Sequence, residues 1–253
     1  MLAVLDRKHP GKIARDEQLR ISVMALLHDV GHGPFSHAFE KVTDTDHEDW
    51  TRHIILDDTT EVNAVLRAHD AALPAVIAIL FDKTSGADAF QGSMRALVDI
   101  VSSQLDADRM DYLLRDSMMT GSRLGQIDMS WLVRCVDIDF EKQTLFLSHK
   151  GLQAAESNIL ARHHMFKSVY FHKTTRSAEV MLKSVLEAIT LKLRNGADWQ
   201  TLIPGTGPHL LPAMLGRLDM QSYLRMDDVS VWELLKCCGD SRIRRSAILA
   251  MDS

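Results

Sequence analysis

Residues 26–37 read Leu26-Leu27-His28-Asp29-Val30-Gly31-His32-Gly33-Pro34-Phe35-Ser36-His37, and no other segment says as much about the architecture. Three histidines and a carboxylate follow an apolar run and surround two glycines. The apolar spacing before them predicts a helix that Asp16 caps, and the glycines and proline break it. His28 and Asp29 would therefore stand at a helix C-terminus. Adjacent nitrogen and oxygen donors suit one divalent ion, such as Mn, Fe, Mg or Zn, and a site that handles phosphate.

The whole chain has the composition of a globular, helical protein. Of its 253 residues, 46% are hydrophobic and 25% are charged, which argues against disorder. Aromatic residues make up only 6% while methionine is common, so we expect an aliphatic helical core rather than a β-sandwich. The net charge of -5 provides no general attraction to nucleic acid or to an anionic membrane.

The cysteines indicate a reducing compartment. Cys135, Cys237 and Cys238 make no disulfide framework, and their spacing matches no zinc motif. The N-terminus does not resemble a signal peptide, and the longest apolar run is too short to span a bilayer. We therefore expect a cytoplasmic protein with no membrane partner.

Apolar side chains with helical spacing dominate the chain. The first helix, from Asp16, is expected to bury Leu19, Val23, Leu26 and Leu27. A second is predicted over 93–118 and a third over 153–194. The apolar face of the second continues into Asp108, Tyr112 and Asp116, each four residues on, which is typical of a helix that enters a polar pocket.

One β element and one proline-rich segment divide this helical pattern. Residues 136–140 and 144–148 alternate apolar and polar side chains, which predicts a surface hairpin. Residues 203–212 carry three prolines and two glycines, so we expect a loop. The predicted domains are a helical body over 1–200, with the hairpin at about 133–149 and the long helix at about 153–194, and a C-terminal helical extension over 201–253.

Three segments together resemble one family. They are LHDVGHGPFSH (27–37), QLDADRMDYLLRD (104–116) and RHHMFKSVYFHK (162–173). In this order they resemble motifs of the HD-domain phosphohydrolases, and more narrowly of the deoxynucleoside triphosphate triphosphohydrolase branch. The resemblance implies an all-α, HD-domain helical bundle over 1–200, with a small β-hairpin insertion and a small C-terminal helical piece.

The same resemblance implies a metal site. His28, Asp29 and Asp108 would hold one divalent ion (Mn, Fe, Mg, Ni or Zn), which acts as a Lewis acid beside phosphate oxygens. Plainer structural roles stay open for each residue. His28 can be a hydrogen-bonded core histidine, Asp29 a helix-end carboxylate, and Asp108 the ion-pair partner of Arg109 or Arg115.

A catalytic set follows from the resemblance as well, namely His32, Glu40 and His47. The reaction needs a group that protonates the leaving oxygen and another that orients the attacking water. Histidine suits this work because its ordinary pKa lies near neutral pH. For His47 the alternative is a solvated loop histidine in an acidic stretch.

Substrate-binding residues are implied on the remaining motif positions: His37, Arg109, Tyr112, Asp116, Arg162 and Tyr170. The planar fork of an arginine matches phosphate oxygens. A tyrosine packed under the ribose would disfavour a 2′-hydroxyl and so select deoxynucleotides. The alternatives are core packing for the two tyrosines and an ion pair with Arg115 for Asp116.

One element of the family pattern has no match. The family places a first metal-binding histidine upstream, in an Arg-x-x-His-Ser segment, and this sequence contains no such segment. His9 is the only histidine before His28, and it stands beside Pro10 and Gly11 in a predicted turn. We expect an N-terminal truncation; a native loss of the ligand is the alternative. Either case predicts weaker metal binding than in relatives with four ligands.

The primary functional expectation is a deoxynucleoside triphosphate triphosphohydrolase. Water would attack the α-phosphorus and release a deoxynucleoside and inorganic triphosphate. Two alternatives stay open: a phosphomonoesterase or phosphodiesterase acting on another nucleotide, and a catalytically silent, nucleotide-binding regulatory module. The resemblance also implies a homo-oligomer.

Overall fold

The computed structural model describes residues 1–124, 126–205 and 209–251, with side chains as far as residue 246. These residues form sixteen α-helices and one two-stranded antiparallel sheet. The expectation of an all-α fold with one β-hairpin is confirmed.

The helices have the following bounds: α1 (Leu2–Lys8), α2 (Arg15–Leu27), α3 (His37–Thr43), α4 (His47–Leu56), α5 (Glu61–His69), α6 (Leu73–Ile79), α7 (Gly92–Val98), α8 (Ala107–Met119), α9 (Met129–Cys135), α10 (Leu152–Met165), α11 (Lys173–Arg194), α12 (Trp199–Leu202), α13 (Leu210–Met214), α14 (Met220–Tyr223), α15 (Asp228–Cys237) and α16 (Ser241–Met251). The strands are β1 (Val136–Asp139) and β2 (Thr144–Leu147), paired with Val136 opposite Leu147.

The chain divides into two compact units. Unit 1 comprises Met1–Asp29 and Thr51–Phe171, and unit 2 comprises Val30–Trp50 and His172–Ser253. The chain thus leaves unit 1 directly after Asp29, and residues 30–50 belong with the C-terminal helices. The domain boundary expected near residue 200 falls inside unit 2 and stays a prediction.

The core of unit 1 is built from α1, α2, α5, α6, α7 and the hairpin. Its fully buried side chains include Leu5, Ile21 and Ile77. Val136 and Ile138 of β1 are also buried in it, so the hairpin is half-buried rather than confined to the surface as predicted. In the described part of the chain no single helix could cross a bilayer, and only the bent pair α5 and α6, taken together, has the length and composition.

Helix α2 begins two residues earlier than predicted and buries a different face. Ala14 is its N-cap, and the Ala14 N–H donates to Glu17 Oε2 (2.9 Å), whereas Asp16 lies in the first turn. The predicted cap is therefore wrong. Leu26 is 80% exposed, while Ile21 faces the core, so the buried stripe is rotated relative to the predicted one.

The helix predicted over 93–118 is interrupted. Helix α7 ends at Val98, and α8 begins only at Ala107. The buried side chain of Asp106 caps α8 by accepting from the Arg109 N–H (2.7 Å), and the Ala107 N–H donates to Ile100 O (2.8 Å). These bonds replace helical ones, and they place Asp108 in the first turn of α8 instead of mid-helix.

The helix predicted over 153–194 is also interrupted. Helix α10 runs into a π-helical turn, Phe166–Tyr170, and α11 begins after His172. A π turn shifts the register of side chains along a helix and frequently marks functional sites. Part of the loop predicted over 203–212 forms α13 instead, and residues 206–208 lie outside the described residues.

Unit 2 has its own core, formed by α3, α11, α13, α15 and α16. Its fully buried side chains include Leu186, Ile189, Leu210, Val231 and Leu234. This core fixes α3 against the C-terminal helices and so determines the setting of the histidines in residues 30–50.

Candidate metal centre and histidine cluster

The end of α2 and the first turn of α8 bring three candidate ligands together. His28 Nε2 lies 3.3 Å from Asp29 Oδ2 and 3.4 Å from Asp108 Oδ1. Their ligand atoms all lie within 4.8 Å of one another. These residues are called the metal group, and within the described residues the group has three members. The upstream His9 is engaged at the hairpin, where its Nε2 lies 2.5 Å from Asp137 Oδ1.

The orientation of His28 suits a metal ligand. Its Nδ1–H donates to the Ala25 carbonyl oxygen (2.9 Å), so Nε2 is the nitrogen that offers a lone pair when the imidazole is neutral. Nε2 is buried and forms no hydrogen bond of good geometry, although two carboxylates flank it. Thr51 Oγ1 donates to the His28 carbonyl oxygen (3.1 Å) and holds the helix end. One imidazole nitrogen and two carboxylates are a donor set that a divalent ion fits.

The charges of the metal group are unbalanced without a cation. The contact with Asp29, 3.3 Å away and of poor hydrogen-bond geometry, raises the pKa of His28 to about 9, although burial opposes this; the Ala25 carbonyl oxygen and the charges of Asp29 and Asp108 add to the rise. Burial raises the pKa of Asp108, and the negative charges of Asp29 and Asp106 raise it further, against the attraction of His28. A bound cation would relieve the repulsion between the two carboxylates.

Three of the predicted substrate residues lie together in unit 1. The Tyr170 O–H donates to Asp116 Oδ2 (2.7 Å), and the rings of Tyr112 and Tyr170 meet edge to face at 6.2 Å. Burial and the hydrogen bond to Asp116 raise the pKa of Tyr170 far above its ordinary value. Tyr170 is therefore a neutral donor with a fixed ring, and it owes this position to the π turn.

Arg162 lines a cavity of about 650 Å³ in unit 1. Its guanidinium lies 5.3 Å from the Phe166 ring centroid. The remaining lining residues are Gln104, Leu105, Asn158, Ile159 and His163. An arginine with an aromatic neighbour in an open cavity can bind an anion or a phosphate.

Arg109 is held by its own chain segment. Its Nη1 donates to the Ser103 carbonyl oxygen (2.5 Å), and its Nε lies 3.5 Å from Asp106 Oδ2. These bonds stabilise the turn that precedes α8. The substrate-binding role expected of Arg109 stays a prediction.

Unit 2 contains a second group, centred on Glu40. The Nδ1–H groups of His37 and His47 each donate to this carboxylate (2.8 Å), and His32 Nδ1 lies 3.5 Å from it. The rings of His32 and His47 stack at 4.0 Å. Burial opposes the charge of Glu40, but the hydrogen bonds and charges of His37 and His47 outweigh it and lower its pKa. These four residues are called the histidine cluster.

The histidine cluster has a composition that can transfer protons. An ionised carboxylate that accepts from the Nδ1–H groups of His37 and His47 fixes the orientation of these two imidazoles. His47 begins α4 and is largely buried, so it is not a solvated loop histidine. His37, expected among the substrate residues, instead contacts Glu40 and remains mostly exposed.

Two residues of unit 2 that the sequence did not indicate contact the segment between the histidines. The Tyr223 O–H donates to the Gly31 carbonyl oxygen, and Asp228 Oδ1 accepts from the Phe35 N–H (2.8 Å). Each pair is separated by more than 190 residues. No local spacing pattern could have found them.

Fold and sites together define a helical protein with a His–Asp–Asp group at the junction of two helices. Residues 4–116 match the HD domain family, and residues 127–203 match the HD associated region. The chain thus carries an HD domain, and these matches support its place among the HD-domain phosphohydrolases, a family of hydrolases.

The relatives are consistent with this assignment. An uncharacterized protein of Bacillus subtilis, YwfO, is 40% identical over 204 residues, which cover 81% of this chain and 44% of that protein. A Dictyostelium discoideum protein named deoxynucleoside triphosphate triphosphohydrolase SAMHD1 homolog is 30% identical over 182 residues, which cover 68% of this chain and 34% of that protein. A crystal structure of a phosphohydrolase from Bacteroides thetaiotaomicron matches with a TM-score of 0.81 at 26% identity, over 99% of this chain and 60% of that one. The chain spans about a third to a half of the length of the curated relatives it matches.

Proposed function

We propose that this chain carries the hydrolytic centre of a metal-dependent deoxynucleoside triphosphate triphosphohydrolase. The observation that carries the proposal is the buried Nε2 atom of His28, which faces the carboxylates of Asp29 and Asp108. One divalent ion (Mn, Fe, Mg, Ni or Zn) bound by these residues would supply Lewis-acid chemistry to a phosphate. The name of the Dictyostelium relative supports the choice of substrate.

The residues of unit 1 would bind and orient the nucleotide. Arg162 is assigned to the phosphates because its guanidinium lines an open cavity. Tyr170 is assigned to the sugar because its hydrogen bond to Asp116 fixes the ring. A rigid ring edge under the ribose leaves no room for a 2′-hydroxyl, so deoxynucleotides are preferred. Tyr112 packs against Tyr170 and completes this surface.

The histidine cluster is assigned to proton transfer. When water attacks the α-phosphorus, the bond from that phosphorus to the 5′-oxygen breaks, and the 5′-oxygen leaves as the hydroxyl of the deoxynucleoside. The leaving oxygen takes up a proton, and the attacking water loses one. His32 and His47 are proposed to carry these protons, and Glu40 to hold the rings in place.

Product analysis tests the proposal. The chain is incubated with each of the four deoxynucleoside triphosphates and with Mn²⁺ or Mg²⁺, and the products are separated by anion exchange. We expect equal amounts of deoxynucleoside and intact triphosphate, and no products from the Asp108→Asn variant. Asp111→Asn is the matched control, because Asp111 is exposed on the same helix and pairs with Arg115.

Three other results would contradict the proposal. Orthophosphate as the first product would indicate cleavage of the anhydride bond to the γ-phosphate, and a nucleoside monophosphate would indicate cleavage between the α- and β-phosphates; either would favour another type of nucleotide hydrolase. A thermal shift with nucleotide but no products would favour a silent, nucleotide-binding regulatory module.

Homo-oligomeric assembly and a cytoplasmic location belong to the same proposal, and light scattering of the purified chain tests the assembly.

A further inference from the structure

The segment between His32 and His37 has a strained backbone. Phe35 and Ser36 both have positive φ values, 53° and 46°, and neither is a glycine. L-residues adopt this region rarely, and two in succession persist only where surrounding contacts hold them. The segment 31–36, called the glycine loop, ends where α3 begins at His37. Its conformation therefore determines where the ring of His32 lies relative to Glu40 on α3.

Helix α15 holds the strained end of the glycine loop. The Phe35 N–H donates to Asp228 Oδ1 (2.8 Å), and Asp228 is the first residue of α15. The Phe35 ring meets the Trp232 ring edge to face at 5.0 Å. Asp228 and Trp232 are four residues apart, so they share one face of the helix. One helix face thus binds both the backbone and the side chain of Phe35.

Tyr223, the last residue of α14, holds the other end of the loop. Its side chain is buried, and its O–H donates to the Gly31 carbonyl oxygen. Its ring stacks on Trp50 at 3.9 Å with an interplanar angle of 6°, which fixes the hydroxyl in place. A Cβ added at Gly33 would lie 3.5 Å from the Tyr223 hydroxyl and 3.2 Å from the Phe39 ring. The loop therefore lies closely against these two aromatic side chains.

We propose that Tyr223, Asp228 and Trp232 are positioning residues that hold the glycine loop in the conformation in which His32 reaches Glu40. They are not catalytic residues, since they act through the loop. The expected effect on turnover rests on the proposed function, because it requires the histidine cluster to transfer protons. The effect on the positions of the rings does not depend on that function.

The test compares variants that differ in one contact. Asp228→Ala removes the acceptor for the Phe35 N–H, whereas Asp228→Asn keeps an oxygen at the same place. Tyr223→Phe removes the hydroxyl and keeps the stacked ring. The control is Asp240→Ala, because the Asp240 side chain accepts from the Arg242 N–H (2.9 Å) at the start of α16. This control weakens another helix of unit 2 and leaves the three contacts to the glycine loop in place.

The first measurement is the carbon–proton NMR spectrum of the histidine rings, assigned by single histidine substitutions. We expect the signal of His32 to shift in Asp228→Ala and Tyr223→Phe, and to stay at its wild-type position in Asp240→Ala. Asp228→Asn should restore it. Equal shifts in the control, or no rescue by Asp228→Asn, would overturn the positioning role.

The second measurement is steady-state turnover together with metal content. Asp228→Ala and Tyr223→Phe should lower kcat at least tenfold, with KM and bound metal within twofold of wild type, and Asp240→Ala should leave kcat unchanged. If wild type shows no turnover but the NMR shifts follow the expected pattern, the proposed function fails and the positioning role stands. If wild type turns over nucleotide but the ring signals are unchanged in Asp228→Ala and Tyr223→Phe, the positioning role is refuted and the proposed function stands.

Discussion

Replacing Asp108 with Asn should have opposite effects on metal binding and on the stability of the metal-free chain. In the folded chain burial and the charges of Asp29 and Asp106 raise the pKa of Asp108, so its ionised form is disfavoured. The asparagine amide has the same shape and no charge, so the variant avoids the cost of burying an ionised carboxylate but loses the attraction between Asp108 and His28. We therefore expect the metal-free variant to unfold at the wild-type temperature or slightly above it.

The effect on metal binding should be large. Asp108 provides one of three ligand atoms and one of two negative charges. Loss of a residue that merely supports a ligand costs about 10- to 100-fold in metal affinity, so loss of a ligand itself should cost about 100-fold or more. At a metal concentration 100 times the wild-type Kd, binding stabilises wild type by about 2.7 kcal/mol and the variant by about 0.4 kcal/mol. For a chain of this size these values correspond to increases in Tm of about 5–10 °C and about 1–2 °C.

Thermal denaturation with and without Mn²⁺ measures both effects, and elemental analysis gives the bound metal. Asp111→Asn serves as the control, since it makes the same chemical change on the exposed side of α8. The control should keep the full metal-dependent increase in Tm. A variant that lacks Asp108 yet gains as much stability from Mn²⁺ as wild type would refute the assignment of this ligand. The assignment would also be refuted if Asp111→Asn lost as much of the metal-dependent increase in Tm as Asp108→Asn.

Three further predictions concern other parts of unit 1. Gly151→Ala should destabilise the chain by about 1–3 kcal/mol in urea denaturation, because the added Cβ would lie 2.5 Å from Cys135 Cβ; an unchanged midpoint would contradict this steric reasoning. Burial opposes the charge of Asp137, but hydrogen bonds, first that from His9, outweigh it and lower its pKa. This pair should therefore stabilise the fold by about 1 kcal/mol at pH values above the ordinary aspartate pKa of about 3.9. The contribution should disappear as the pH falls through the lower pKa of Asp137 in the folded chain. The Tm difference between wild type and Asp137→Asn should accordingly be present at neutral pH and absent in strong acid, and a difference that persists there would count against the pair. Tyr170→Ala should reduce the preference for deoxynucleotides over ribonucleotides about tenfold or more, measured as a ratio of kcat/KM values; an unchanged ratio would remove Tyr170 from the sugar site.

The sequence predicted which three residues come together in the metal group, but not the way in which α8 presents Asp108. The spacing of apolar residues continues from 93 to 118, with no glycine or proline at the break after Val98. The break arises because Asp106 is buried and caps a new helix. The cap is a single side-chain hydrogen bond that favours a new helix start over continuation of the old helix. The spacing of apolar residues contains no information about which of the two is favoured. The same limit explains the missed π turn before His172.

Contacts that join distant segments were beyond reach for a different reason. Helical periodicity reports which residues share a face, but not which helix lies opposite. Tyr223 and Asp228 look like ordinary residues of a short helix and of a helix start. Only the folded chain shows that they hold Gly31 and Phe35. By contrast, a cluster drawn from a short span, such as His37 with Glu40, is anticipated by its i, i+3 spacing.

The sharpest consequence of the fold is that one continuous motif serves two units. His28 and Asp29 belong to unit 1, where α8 supplies Asp108, whereas the following residues of the motif, within Val30–Trp50, belong to unit 2. The ligands of the metal group are therefore fixed by contacts within unit 1, and the rings of the histidine cluster by contacts within unit 2. Loss of a metal ligand should then leave the histidine signals of unit 2 in place, and loss of the Asp228 contact should leave the bound metal in place. A variant of either kind that changed the bound metal and the histidine signals equally would show that the motif acts as one rigid piece. The inference that each unit fixes its own group of side chains would then be wrong.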